Sequence, residues 1–170
     1  MVTLEKINPF WDDEYKNLNY SNESFNNHLD ISRWAYQGYN INRLTGDMCD
    51  MRKPQPSWNQ KFIDYFTQLG WKDIGTSYYR MNTATVLPMH SDTYKKYIEK
   101  FNIVTKTESI RRAVVFLEDW SSGHYLEVNS QPILNWSKGD YVVWEYRTPH
   151  MAANLGTSPR YTLQITGHIN

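Results

Sequence analysis

The spacing of apolar residues changes near residue 76. Before that point, the stretch QPSWNQKFIDYFTQLGW repeats apolar residues at helical intervals. The members of this apolar stripe are Trp58, Phe62, Tyr65, Phe66 and Leu69. Ser57 and Gln60 fit a capping box at its start, and Gly70 fits a C-terminal stop. The pattern therefore predicts a helix over residues 57–69 whose apolar face packs against a core.

After that point, the pattern becomes a series of short extended segments separated by turns. In chain order these segments are TSYYRMNTATVL, IRRAVVFLEDW, HYLEVN, PILNW, YVVWEY, TPHMAANLG and RYTLQITGHI. The intervening YKKYIEKFNI is either a short helix or a mobile insert. We expect residues 76–168 to form two facing antiparallel sheets, as a small β-sandwich or barrel. Residues 1–75 are expected to supply helical or irregular support.

The first fifty residues are rich in aromatic side chains but show only weak periodicity. These side chains are Phe10, Trp11, Tyr15, Tyr20, Phe25, Trp34, Tyr36 and Tyr39. They either cover one face of a sheet or form a lid over a pocket, and the sequence leaves both alternatives open.

The composition narrows the class of protein. A chain of 170 residues suits one domain over 1–170 with a full hydrophobic core. The formal net charge is zero, which argues against a nucleic-acid partner. Cys49 is the single cysteine, so no intramolecular disulfide can form and a reducing compartment is favoured. Cys49 itself is expected to be inert. The early residues resemble neither a signal peptide nor an anchor, and no apolar run is long enough for a membrane span. We expect a cytoplasmic protein without a membrane partner.

Candidate metal chemistry begins where an apolar extended segment ends, at His90-Ser-Asp92. The same spacing occurs at His28, but in a polar, Asn-rich stretch, so we expect His28 at the surface or in a helix cap. A third ligand is offered by His150, which lies beyond 57 intervening residues after Asp92 and directly after Pro149. Two histidines and one carboxylate on one face suit non-haem iron that activates oxygen.

A candidate anion site follows on the last extended segment. Arg160 lies ten positions after His150, and Thr162 shares its face of the strand. A guanidinium beside a hydroxyl binds a carboxylate well, although such an arginine alone more often forms a surface ion pair. Tyr78 and Tyr79 either donate to a ligand or pack in the core; Tyr79 is our candidate for ligand binding.

Together these residues resemble the pattern of the iron(II)- and 2-oxoglutarate-dependent dioxygenases, with prolyl hydroxylase-like and aspartyl/asparaginyl hydroxylase-like features. The pattern falls on His90, Asp92, His150, Arg160 and Thr162, and the resemblance covers residues 76–168. It implies a double-stranded β-helix, or jelly-roll, with iron(II) held by the first three residues. It also implies that Arg160 and Thr162 bind the 2-oxoglutarate co-substrate. The implied reaction uses O2 to hydroxylate a small molecule or a peptide side chain, with release of succinate and CO2.

Other interpretations remain open beside this one. A cupin-type protein would use the same barrel for isomerisation or binding without 2-oxoglutarate, although its first motif calls for a histidine where Asp92 stands. The nucleic-acid demethylase branch usually carries an arginine where this chain has Thr166. A halogenase would lack the carboxylate of Asp92. A non-catalytic module with a vestigial metal motif is a further alternative.

Several further residues have two possible roles. Asn154 either braces the metal site or bonds a turn, and Arg147 either binds an anionic substrate or lies solvated at the rim. Arg111 and Arg112 are adjacent on one strand, so one of them should face the interior. The remaining histidines, His124 and His168, are expected to be structural. The identity of the substrate and the oligomeric state are not indicated.

Overall fold

The computed structural model describes residues 2–25 and 27–169, without the side chains of Glu23, Ser24 and Thr45. Within these residues the strands are β1 (Leu4–Lys6), β2 (Ser21–Ser24), β3 (Thr45–Asp50), β4 (Lys72–Met81), β5 (Thr85–His90), β6 (Ile110–Phe116), β7 (His124–Val128), β8 (Gln131–Ile133), β9 (Asp140–Glu145), β10 (His150–Asn154) and β11 (Arg160–His168). The α-helices are α1 (His28–Tyr36), α2 (Asn59–Gln68) and α3 (Lys95–Phe101). None of the described helices is both long enough and apolar enough to span a membrane.

The strands form two antiparallel sheets. The larger has seven strands in the order β1-β9-β6-β11-β4-β3-β2, and the smaller has four in the order β5-β10-β7-β8. Val114 and Tyr79 of the large sheet share a core with Leu126 and Ala152 of the small sheet, so the sheets face each other. The predicted mainly-β fold, a double-stranded β-helix of the jelly-roll type, is confirmed.

The helix α2 covers the outer face of the large sheet. Phe62 and Phe66 are fully buried there, in a cluster with Tyr78, Leu163 and other side chains that point away from the small sheet. The predicted apolar stripe is therefore core at Trp58, Phe62 and Phe66, and Tyr65 packs partly buried against them. Its last member was predicted wrongly, because Leu69 is exposed.

The sequence predicted the C-terminal end of α2 correctly but not its N-terminal end. Gly70 has φ +86° and its N–H bonds the Thr67 carbonyl at 2.9 Å, which confirms the predicted stop. The capping box was wrong. Trp58 is the N-cap residue, with no side-chain cap bond, and the Gln60 side chain bonds Asp64 instead. A turn from the Pro56 carbonyl to the Asn59 N–H delays the helix past Ser57.

The N-terminal part of the chain contributes strands as well as helices. β1 pairs with β9 at one edge of the large sheet, and β3 pairs with β4 towards the other edge. The aromatic side chains Trp11 and Tyr15 are buried on the outer face beside α2. For these two residues, the alternative in which aromatic side chains cover a sheet face is the correct one.

Candidate metal centre

Two neighbouring strands bring the histidines of the predicted motif together. β4 belongs to the large sheet and β5 to the small one, and the turn between them places Ala84 at φ 62° with its N–H on the Asn154 carbonyl. β5 therefore runs antiparallel to β10, with His90 directly opposite His150. Since His90 ends β5 and His150 begins β10, both imidazoles lie at the same end of the small sheet.

Asp92 completes a cluster with the two histidines. It lies two residues beyond β5, and its Oδ1 is 3.7 Å from His90 Nε2. Its Oδ2 is 3.8 Å from His150 Nε2. One ligand atom from each residue lies within 4.8 Å of the others, which makes this a possible His-Asp-His metal site. His28, by contrast, begins α1 and is exposed.

Backbone carbonyls fix both imidazole rings. His90 Nδ1 donates to the Pro88 carbonyl oxygen at 2.7 Å, and His150 Nδ1 donates to the Thr148 carbonyl oxygen at 2.9 Å. When Nδ1 carries the proton, the neutral ring presents the Nε2 lone pair, and here both Nε2 atoms face Asp92. This arrangement is the usual way in which a protein orients a metal-binding histidine.

The electrostatics of the cluster favour the protonation states that a cation needs. Burial lowers the pKa of His150 to about 4, so this ring is neutral at pH 7. Burial alone would raise the pKa of Asp92, but the electrostatic interactions with Arg112, His150 and His90 together outweigh burial, and the net pKa is lowered. The cluster therefore offers neutral imidazole together with carboxylate.

Aromatic side chains enclose the histidine cluster. Phe25 and Trp34 pack edge-on against the His90 ring, with ring centroids 4.9 and 5.8 Å away. On the other side, Trp144 lies 5.0 Å from the His150 ring. Phe25 and Trp34 are thus walls of the site, in line with the lid alternative for the first fifty residues. The spacing of apolar residues does not separate these two aromatic side chains from those of the outer face.

A buried arginine occupies the other end of the space between the sheets. Arg160 is 6% exposed, and its Nη1 donates to the Tyr125 carbonyl oxygen at 2.6 Å. Its Nε is buried without an acceptor, and no carboxylate of the described residues lies within ion-pair distance of it. Burial lowers the pKa of Arg160 to about 10, which still leaves it charged at pH 7. Burying a cation without an anion is costly, so Arg160 is a candidate to bind an anionic ligand.

Thr162 and Tyr79 lie beside this arginine on the inner face of the large sheet. Thr162 is buried on the same face of β11 as Arg160. Tyr79, on β4, is the cross-strand partner of Thr162. Burial raises the pKa of Tyr79, so its hydroxyl remains a hydrogen-bond donor. A Cβ on Gly46 would lie 1.7 Å from the Tyr79 hydroxyl oxygen, so this tyrosine position requires glycine there. Sequence analysis did not identify Gly46.

Tyr78, which precedes Tyr79 on β4, has a different environment. Tyr78 points to the outer face and donates to Asn59 Oδ1 at 2.8 Å, so it is a core residue. Asn154 Nδ2 donates to the carbonyl oxygens of Met81 and Ser158 at 2.8 Å each. Of its two possible roles, Asn154 therefore has the one in which it bonds a turn.

The three candidate arginines outside β11 also separate clearly. Arg147 is exposed, with φ 58°. Arg111 points outward and pairs with Glu145, whereas Arg112 faces the interior and pairs with Asp92 at 3.1 Å. Gln164, which sequence analysis missed, accepts from Arg112 Nη1 at 2.6 Å. Gln164 lies on the same face of β11 as Arg160 and Thr162. This shared face could have been predicted from the two-residue spacing in the sequence.

The remaining candidate residues make contacts away from the cluster. His124 Nε2 lies 3.1 Å from the Ser158 carbonyl oxygen. His168 Nδ1 lies 3.3 Å from the Tyr97 hydroxyl. Cys49 is buried in the outer core.

No protein-family model matches this chain, and no curated protein matches its sequence. Among solved structures, a Pseudomonas putida prolyl-4-hydroxylase is similar with a TM-score of 0.57 and 14% identity, over 93% of this chain and 96% of that one. A predicted oxalate decarboxylase from Thermotoga maritima has a TM-score of 0.44 and 9% identity, over 74% and 82% of the two chains. KdgF from Halomonas sp. has a TM-score of 0.43 and 10% identity, over 74% and 80%. At 14% identity, the likeness to the prolyl-4-hydroxylase shows a shared fold and nothing beyond it.

Proposed function

We propose that this protein is an iron(II)- and 2-oxoglutarate-dependent oxygenase. It would hydroxylate a small molecule or an amino-acid side chain, with release of succinate and CO2. The observation that carries the proposal is the unpaired buried charge of Arg160, enclosed between the same two sheets that hold the His90, Asp92 and His150 cluster. A metal site alone would fit many cupin-type proteins, whereas the added cation calls for an anionic co-substrate.

The donor set fits iron(II). Two imidazole nitrogens and one carboxylate on one face leave the opposite positions of an octahedral ion free. Bound iron(II) would supply the activation of O2 and a chelation point for a 2-oxo acid. Both Nε2 atoms face Asp92, and the tautomer that metal binding requires is already fixed by the Pro88 and Thr148 carbonyls.

The protein's own residues would bind, orient and enclose the co-substrate. Arg160 would bind its far carboxylate with a charged, planar donor group, and Thr162 and Tyr79 would add hydroxyl donors. Because Arg160 has no acidic partner among the described residues, a dicarboxylate would meet a cation that these residues do not neutralise. Trp34 and Trp144 would keep bulk water away from the histidine cluster, as oxygenase chemistry requires.

Iron(II) and 2-oxoglutarate should be added anaerobically to the metal-free protein to test this proposal. We expect a weak visible charge-transfer band that requires both additions, followed by succinate formation when O2 and a substrate are supplied. His150→Ala should abolish the band, whereas Arg147→Ala, at the exposed rim, should leave it unchanged. Iron binding without the band would instead favour a cupin-type metal protein that does not use 2-oxoglutarate.

A further inference from the structure

Arg112 is held on three sides at the edge of the metal cluster. Its Nη2 donates to Asp92 Oδ2 at 3.1 Å and its Nη1 donates to Gln164 Oε1 at 2.6 Å. The guanidinium also lies over the Tyr94 ring, 5.1 Å from its centroid. Its side chain is only 14% exposed. An arginine fixed by two hydrogen bonds and a ring has little freedom to turn away from Asp92.

This contact makes the two oxygens of Asp92 different. Oδ2 accepts from Arg112, whereas Oδ1 has no donor among the described residues and lies 3.7 Å from His90 Nε2. A carboxylate can bind a metal ion through one oxygen or through both. An oxygen already engaged by a buried guanidinium is the poorer metal ligand, because its charge is shared with the arginine.

We propose that Arg112 is a positioning residue that engages Asp92 Oδ2 and leaves Oδ1 as the single carboxylate ligand. The inference rests on the metal role in the proposed function and is independent of 2-oxoglutarate. One-oxygen binding matters because each position that Asp92 does not take remains open for an exogenous ligand. In this way Arg112 would set how many positions the metal offers without touching the metal itself.

Water proton relaxivity of the manganese(II)-loaded protein counts these open positions. Three single-atom ligands leave about three waters on a six-coordinate ion, and a two-oxygen Asp92 would leave about two. Arg112→Met should therefore lower the relaxivity per bound ion by roughly one third. Arg112→Lys, which can still donate to Oδ2, should restore part of the loss. Arg111→Met is the matched control, since Arg111 points outward and pairs with Glu145, and it should match wild type.

A second variant keeps the inference testable if Arg112→Met does not fold. Gln164→Leu removes the acceptor that holds Nη1 but keeps the charge, so it should give a smaller decrease in relaxivity. Wild-type relaxivity in every folded variant would overturn the inference and leave the proposed function intact. If the wild-type protein binds no manganese, both the metal role and this inference are wrong. An equal loss of relaxivity in Arg111→Met would show a general structural effect and would also overturn it.

Discussion

The chemistry of the two histidines depends on their own local backbone. In each case Nδ1 bonds the carbonyl two residues earlier, at Pro88 for His90 and at Thr148 for His150. The same local geometry therefore occurs at the end of one strand and at the start of its neighbour. It fixes the neutral tautomer before any metal arrives, so metal binding does not have to reorganise either ring.

The buried state of His150 should make the metal-free protein less stable in mild acid. The folded protein takes up this proton only near pH 4, whereas the unfolded chain takes it up near its ordinary value of 6.5. Between these values the unfolded state binds up to one more proton, so stability falls as pH decreases, by up to about 1.4 kcal/mol per pH unit. Asp92, whose pKa is lowered, adds a loss of the same sign below its ordinary value of 3.8.

Urea unfolding at pH 7, 6 and 5 would measure this dependence. His150→Gln should flatten the decrease between pH 6.5 and 4, because it removes the group that titrates there. His28→Gln, a change at an exposed helix start, should keep the wild-type slope. An unchanged slope in His150→Gln would show that another group accounts for the acid sensitivity.

Single residues also show how far the sequence could define the site. The spacing was enough to nominate His90, Asp92, His150 and Arg160, because their chemistry is carried by residue type. The inward direction of Arg112 was predictable only as one of two alternatives. Gly46 could not be identified, because its importance comes from the Tyr79 side chain of another strand.

At the scale of elements, apolar spacing predicted the strands after residue 76 and the helix before it. β1, β2 and β3 were missed because Leu4–Lys6, Ser21–Ser24 and Thr45–Asp50 are short and mostly polar. Such segments become strands through their hydrogen bonds to a neighbouring strand, because their own side chains do not specify a strand. The start of α2 was misplaced by two residues for a similar reason, since a turn from Pro56 overrides the capping pattern.

Because α2 packs on the outer face, its role should be separable from that of the metal cluster. Phe62 is 0% exposed, so Phe62→Ala should cost about 3–5 kcal/mol of unfolding free energy. Leu69→Ala, at a side chain that is 51% exposed, should change stability by less than about 0.5 kcal/mol. Denaturant unfolding gives both values. Manganese affinity of the folded Phe62→Ala protein should equal that of wild type, and a large loss would show that α2 supports the cluster directly.

At the scale of the whole molecule, the fold assembles one internal space from distant parts of the chain. The small sheet supplies His90 and His150, while the large sheet supplies Arg112 and Arg160 from two of its central strands. The hydrophobic layer between the sheets holds these polar groups in place. The sequence could predict that two sheets face each other, but the relative placement of the cluster and of Arg160 depends on strand register, which the pattern does not encode.

Isothermal titration of the manganese-loaded protein with 2-oxoglutarate measures the binding that we propose for Arg160. Wild type should bind 2-oxoglutarate, and Arg160→Ala should weaken binding by roughly ten- to a hundredfold, about 1.5–3 kcal/mol, because a charge-assisted pair is lost. Arg160→Lys should recover only part of the lost 2-oxoglutarate affinity, since lysine lacks the planar donor group. Manganese affinity should stay unchanged in both variants, and Arg147→Ala should behave as wild type. If wild type does not bind 2-oxoglutarate, or Arg160→Ala binds it equally well, the proposed function is wrong.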